Sequence, residues 1–420
     1  MSNKCGSVVV LLGFIVNAAL YGEDGGKRAG FSRFVVTGDS LGAGYQNSQL
    51  IESGQVHGYA NVVATQAGVS LNLPLLPPPG YPQISLVQNF AVVTNAIPVA
   101  RLNTRQTLDL AVPGFTVAAL VGLQPSCTPN PFNVIEVLAS EILNPNCSTN
   151  PGPTELAEAA ALKPTTAILW IGSNDVLFTL LLGADPTDVP TFGALYHFAA
   201  TTMAQASGHL VIANIPDVTL TAYLTSVPKL AAILKLPVPV VEAVFGLHAD
   251  DMVTPFAFLA IQAMGNTLTP LPDSGPQGPI VLRAARLSQI RAAVLAYNAV
   301  IANEAAANGA TLVDIHSLVN NLAANGAEVD GQKLTTGFMG GLFSLDGVHP
   351  TNTGNAIIAN EFIKTMNRSL HTDIPPVSVE EVAKIDPLIF RQGDRKGGSE
   401  KETGHVSVGM AEGLRSLGRR

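Results

Sequence analysis

The chain has 420 residues, 47% of them hydrophobic and 13% charged, with a formal net charge of −8. That composition excludes a disordered protein, and the acidic balance argues against a nucleic-acid partner, which needs clustered Lys and Arg to neutralise phosphates. Residues 391–420 hold seven basic and four acidic side chains, so the acidity belongs to the body of the chain and the charged, Gly-rich end reads as a disordered tail.

At the N-terminus Lys4 precedes an apolar run over residues 8–20 and then small and polar residues, the layout of a signal peptide over residues 1–22. The run is too short to span a bilayer. The competing reading is an N-terminal helix packed on the core. With a leader removed, Cys5 goes with it, the mature chain carries no integral membrane segment, and secretion or a periplasmic location is expected.

The first strand expected is residues 33–37, an apolar run that breaks into Gly38-Asp39-Ser40-Leu41-Gly42. Taken alone, those five residues fit GxSxG, the nucleophile elbow of α/β-hydrolases. That elbow follows several earlier strands, however, and at most one can precede Ser40. A dinucleotide loop fails too, because Gly42-Ala43-Gly44 is followed by Asn47 where a third glycine is required. A helix over 59–67 follows, then a proline-stiffened loop within 72–105 that contains LPLLPPPGYP.

A second strand is expected at 107–112, ending in Pro113-Gly114-Phe115. Cys127 and Cys147 then stand in Pro/Asn-rich loop sequence; as an even pair in an exported chain they are expected to form a disulfide. Its loop of about 20 positions is worth roughly 3 kcal/mol in the chain-entropy estimate. Two cysteines without CxxC spacing offer no zinc site.

Three further strands are expected at 167–171, 209–214 and 311–315, with helices over 192–206, 284–308 and 354–367. Near-continuous apolar strands separated by helices imply a parallel sheet covered on both faces. In such sheets functional groups collect at the carboxyl ends of strands. There stand Gly38-Asp39-Ser40, Gly114, Gly172-Ser173-Asn174-Asp175, Ile215-Pro216-Asp217 and, further on, SLDGVHPTNTGN. Between them residues 218–280 form an apolar insertion, readable as a cap over the site or as an extension of the core.

A serine becomes a nucleophile when a base takes its proton, and the base works best with a carboxylate on its other nitrogen. Among eight histidines His349 stands apart, because Asp346 lies three positions earlier in a Gly/Pro-containing loop. A single tight turn can put that carboxylate on Nδ1 and leave Nε2 free. Donors for an oxyanion are available from Gly114, where a missing side chain lets backbone approach, and from the Asn174 amide. The bland alternatives are an ordinary turn at Gly114 and a cap or Asx-turn at Asn174. Asp39 and Asp175 read as organisers of their own loops.

Four blocks in this order resemble the GDSL, or SGNH, family of serine esterases and lipases. They are Gly38-Asp39-Ser40-Leu41, a loose second block at Gly114, Gly172-Ser173-Asn174-Asp175, and Asp346 with His349 followed by Pro350 and a terminal helix. The resemblance implies a three-layer α/β/α, flavodoxin-like domain over residues 31–370 with a five-stranded parallel sheet. It implies Ser40 as nucleophile, His349 as general base and acid, Asp346 as its orienting partner, and an oxyanion hole from Ser40, Gly114 and Asn174. The partner implied is a small-molecule or lipid ester, with no metal or organic cofactor. Two other functions fit the same residues: acyl transfer to an alcohol, and a non-catalytic surface-binding protein on the same fold.

Overall fold

The computed structural model describes residues 29–86, 92–95, 101–102, 105–265 and 269–389. The leader expected over 1–22 and the tail over 391–420 lie outside the described residues.

Four strands, β1 (Phe34–Gly38), β2 (Thr166–Trp170), β3 (His209–Ala213) and β4 (Thr311–Val313), form one parallel sheet in that spatial order. Alternation along each strand divides the core. Val35, Ala167, Leu169 and Ile212 face helices on one side, while Phe34, Val36, Ile168 and Val211 face helices on the other. Both faces are therefore buried, which is why the strands read as continuous apolar runs. On the second face Tyr59 stacks on Phe362 at 4.7 Å and meets the edge of Trp170 at 5.0 Å, joining helices Tyr59–Gln66 and Asn352–Leu370 to the sheet.

The expected fifth strand is not a regular one. Residues 107–112 run parallel to β1 with a single bridge, Val36 to Asp109, although Leu110 and Val112 donate to Val36 and Gly38 and Val36 donates to Leu108. The outward edge of this run is occupied by its own side chains. Thr107 Oγ1 donates to the Asp109 carbonyl at 2.6 Å, and the Ala111 N–H donates to the Asp109 carboxylate at 3.2 Å. Such local bonds compete with ladder formation and blunt an edge that would otherwise template another strand.

With that run included, the spatial order by chain position is 2-1-3-4-5, and the order reverses between β1 and β2. The crevice outside the carboxyl ends of those two strands is where such sheets bind ligands. The helices expected from 59 and 284 begin at those positions, whereas the other two begin earlier than their apolar patterns, because caps precede them. Asp188 accepts from the Thr191 N–H to start Val189–Ala206, and Thr351 accepts from Gly354 to start Asn352–Leu370.

The insertion builds its own small core. Helices Val227–Leu234, Val238–Phe245 and Pro255–Met264 pack Leu230, Val241, Phe245 and Phe258 together beside a three-stranded antiparallel sheet. Arg283 fastens this unit to the helix Ala284–Ala307, donating to Gly246 O at 2.8 Å, the Asp251 carboxylate at 2.9 Å and Asp273 at 2.8 Å. Asp251 is buried and also accepts from the Ala284 N–H. Removing the guanidinium takes the arginine charge from that carboxylate and leaves it the N–H groups of His248 and Ala284 and the His248 imidazole at 3.4 Å, a change that costs about 1–3 kcal/mol. Arg283→Ala is expected to lower the melting temperature and to open residues 227–280 to limited proteolysis before the parallel sheet; unchanged melting and cleavage would contradict this anchoring.

Candidate active site

β1 ends where Asp39 caps the short helix Ser40–Ala43, its Oδ1 accepting from the Leu41 N–H at 3.0 Å. The fully buried Glu155 accepts the Gly38 N–H at 2.6 Å from below. The turn therefore holds Ser40 at the strand end with its neighbours on both sides bonded. Gly42 is required for packing: a Cβ there would lie 2.6 Å from Ala111 Cβ, on the run beside β1. Its match to GxSxG is thus a consequence of close approach to that edge.

Ser40 Oγ lies 2.8 Å from His349 Nε2, and His349 Nδ1 lies 2.8 Å from Asp346 Oδ2. The Asp346 carboxylate closes its own loop, because Oδ1 accepts from the Val348 and His349 N–H groups at 2.8 and 2.9 Å. Burial alone would push this carboxyl up. The adjacent His349 charge and the hydrogen bonds from His349 and Val348 outweigh it and hold the group at about 2. The carboxylate is therefore ionised across the neutral range, and with Nδ1 engaged, Nε2 is the nitrogen that faces the serine.

At the end of β2, Asn174 opens the helix Asn174–Leu181, and its Nδ2 donates to Phe115 O at 2.9 Å. An amide nitrogen carries two hydrogens, so one remains. Residues 112–115 form a turn in which Phe115 donates to Val112 O at 3.1 Å, with Pro113 leading and Gly114 at φ +85°. That positive φ and the Ile135 side chain, 2.9 Å from where a Cβ would sit, restrict the position to glycine. The turn bond uses the Phe115 N–H and leaves the Gly114 N–H outside it. Asp39 serves its own loop, whereas Asp175 reaches further. It accepts from the Val117 N–H at 2.9 Å and Thr187 Oγ1 at 2.9 Å, joining the segment after Gly114 to the helix after β2.

Ser40, Asn174 and His349 open onto a cleft whose walls are chiefly apolar, with Leu177, Val218, Ile315, Val319, Leu342 and Phe343 among them. From the insertion only Val218 and Thr221 line it; among the described residues none from 222 to 280 does.

Sequence reasoning passed over residues 45–48. The Tyr45 ring lies 4.8 Å from the His349 ring, and its hydroxyl donates to Ser48 O at 2.6 Å. Gln46 Nε2 donates to Pro350 O at 3.0 Å. Asn47 donates its N–H to Ser344 Oγ at 3.2 Å and accepts from the Leu345 N–H at 3.0 Å, and the Ser48 N–H donates to Asp346 Oδ2 at 2.8 Å. Asn47 and Ser48 both adopt positive φ to do so. The only hint in the sequence was an unbroken polar Gln-Asn-Ser run directly after a motif.

Over residues 34–362 the sequence matches the family described as GDSL-like Lipase/Acylhydrolase. The chain belongs to that family. As a GDSL-like lipase/acylhydrolase it is a hydrolase acting on esters. No curated protein is similar to it in sequence. Among solved structures, it is similar to an α/β-hydrolase enzyme from the metagenome of Lake Arreo, Spain, at 12% identity over 81% of this chain and 98% of that one, with a TM-score of 0.37. It is also similar to the acetylxylan esterase of Geobacillus stearothermophilus, at 12% identity over 79% of this chain and 93% of that one, with a TM-score of 0.35. A mutant of that enzyme, described as an acetyl-xylooligosaccharide esterase, gives 12% identity over 82% and 97%, with a TM-score of 0.36.

Several carboxyls around the GDSL turn carry an electrostatic penalty. Burial pushes Asp39 up to about 7 and Asp109 up to about 8, and pushes Glu155 well above its ordinary value. A carboxyl whose folded pKa exceeds its unfolded value of about 4 keeps its proton only while folded, so stability falls as pH rises between the two. Asp346 has the opposite sign: its contribution is present above about pH 4 and is lost as pH falls toward 2. Asp109→Asn is therefore expected to raise the melting temperature by a few degrees at pH 8 and leave it unchanged at pH 4. Thermal unfolding across that range checks this, and an equal effect at both pH values would contradict it.

Proposed function

We propose that this lipase/acylhydrolase hydrolyses carboxylic esters through an acyl-enzyme on Ser40. The observation that carries the reading is the continuous hydrogen-bonded line from Ser40 Oγ to His349 Nε2 and from His349 Nδ1 to Asp346, at 2.8 Å in each step. In this reading Nε2 accepts the Oγ proton as Oγ attacks the ester carbonyl. The Asp346 carboxylate holds the tautomer and steadies the imidazolium. The N–H groups of Ser40 and Gly114 and the second amide hydrogen of Asn174 receive the developing oxyanion. The imidazolium then returns its proton to the leaving alcohol, and His349 activates water against the acyl group.

The apolar walls beside Ser40 favour an uncharged, apolar acyl group. Ser40→Ala is expected to abolish turnover of p-nitrophenyl esters, and Asn174→Ala to lower kcat by about 100-fold. Wild type is expected to turn over butyrate and octanoate esters faster than acetate. Fluorophosphonate labelling followed by peptide mapping should modify Ser40 alone. Equal rates for wild type and Ser40→Ala would remove the serine from the mechanism, and a preference for acetate would remove the apolar acyl group.

Export is part of the same proposal, supported by the leader-like N-terminus and by the disulfide that joins Cys127 and Cys147 across a Cα–Cα distance of 5.3 Å. The intact mass of protein recovered outside the cytoplasm is expected to correspond to loss of about the first 22 residues and of two hydrogens. A chain that retains Met1 with both thiols free would overturn it.

A further inference from the structure

We infer that Tyr45 is a positioning residue for the His349–Asp346 pair, its ring stabilising the imidazolium that forms when His349 takes the Ser40 proton. The inference rests on the reading of Ser40, His349 and Asp346 given above. Tyr45 follows the nucleophile by five positions, yet its ring centroid stands 4.8 Å from that of His349, with the planes inclined at 55°. That is within the roughly 6 Å at which an aromatic ring attracts a cation.

The ring is not free to leave. Its hydroxyl is tied to Ser48 O at 2.6 Å, and the Ser48 N–H is tied to Asp346 Oδ2, the same oxygen that pairs with His349 Nδ1. One short segment thus touches both members of the pair, the imidazole through a side chain and the carboxylate through a backbone donor. The attraction grows when the imidazole becomes charged, so it favours the transition state over the resting enzyme.

The other titratable groups near His349 are Asp346 in its own loop, Asp39 at the end of β1, which burial pushes up to about 7, and Asp217 in the wall of the shared cleft. All three remain in a Tyr45 variant, so a change in the titration of the base reports the ring. Losing the ring makes the imidazolium less favourable. The acidic limb of kcat/KM should then move to lower pH by about half a unit, and kcat should fall about 5-fold at unchanged KM.

The experiment compares wild type, Tyr45→Phe, Tyr45→Leu, Tyr45→Met and Ser40→Ala on p-nitrophenyl butyrate between pH 5 and pH 9, with melting temperature as the folding control. The expected result is a lowered limb and lowered kcat in Tyr45→Leu and Tyr45→Met, with Tyr45→Phe within about 2-fold of wild type because it keeps the ring. Tyr45→Met carries the test if the shorter leucine loosens the fold. An unmoved limb in the ringless variants, or a Tyr45→Phe as impaired as Tyr45→Leu, overturns the inference while an inactive Ser40→Ala leaves the underlying reading intact. A Ser40→Ala as active as wild type removes that reading itself.

Discussion

A hydroxyl and an imidazole separated by 309 positions in the chain must be held 2.8 Å apart, and most of the polar structure around the crevice answers to that requirement. A sheet buried on both faces leaves only its strand ends for polar groups, so the serine sits at the end of β1. The histidine comes from a loop with no strand beneath it. It is held by Asp346 within its own turn and by Gln46, Asn47 and Ser48 from the segment that follows the serine. Serine and histidine are therefore registered to each other by the segment that runs from Ser40 to Ser48.

The electrostatics of the crevice follow from burial. Asp346 remains ionised because the His349 imidazole and the backbone donors of Val348 and His349 compensate its desolvation, with the Ser48 N–H as a further donor. Asp39, Asp109 and Glu155 have less compensation and are shifted toward the neutral form. Glu155 nonetheless accepts the N–H of Gly38, just before the serine, which gives a costly buried acid a place in the turn. The separation of pKa values distinguishes the carboxylate paired with His349 from those that support the loops.

The parallel sheet was legible because each strand is buried on both faces and reads as an apolar run, and four of the five runs are strands. The fifth departed because Thr107 and Asp109 bond their own backbone, a local competition that hydrophobic pattern does not register. Gly114 was readable as a glycine position, but its reason lies in Ile135, on a helix inside the disulfide-closed loop. The insertion was legible as apolar sequence and no more. Most of its apolar residues pack on one another in a separate core, Val218 and Leu224 join the core of the sheet, and among the described residues only its first ones reach the cleft.

By itself the sequence determined the residue types and their order: a serine after the first strand, GxND after a buried one, and DxxH before the last helix. Those signals are local, each a few residues long and tied to a strand end or a turn. The tertiary structure decided which groups meet across the chain, including Tyr45 on His349, Ser48 on Asp346, Asn174 on Phe115 and Asp175 on Val117. Such pairings join residues that lie from tens to hundreds of positions apart. They depend on how the layers pack and on which backbone donors are left over, and neither quantity is written in a local pattern.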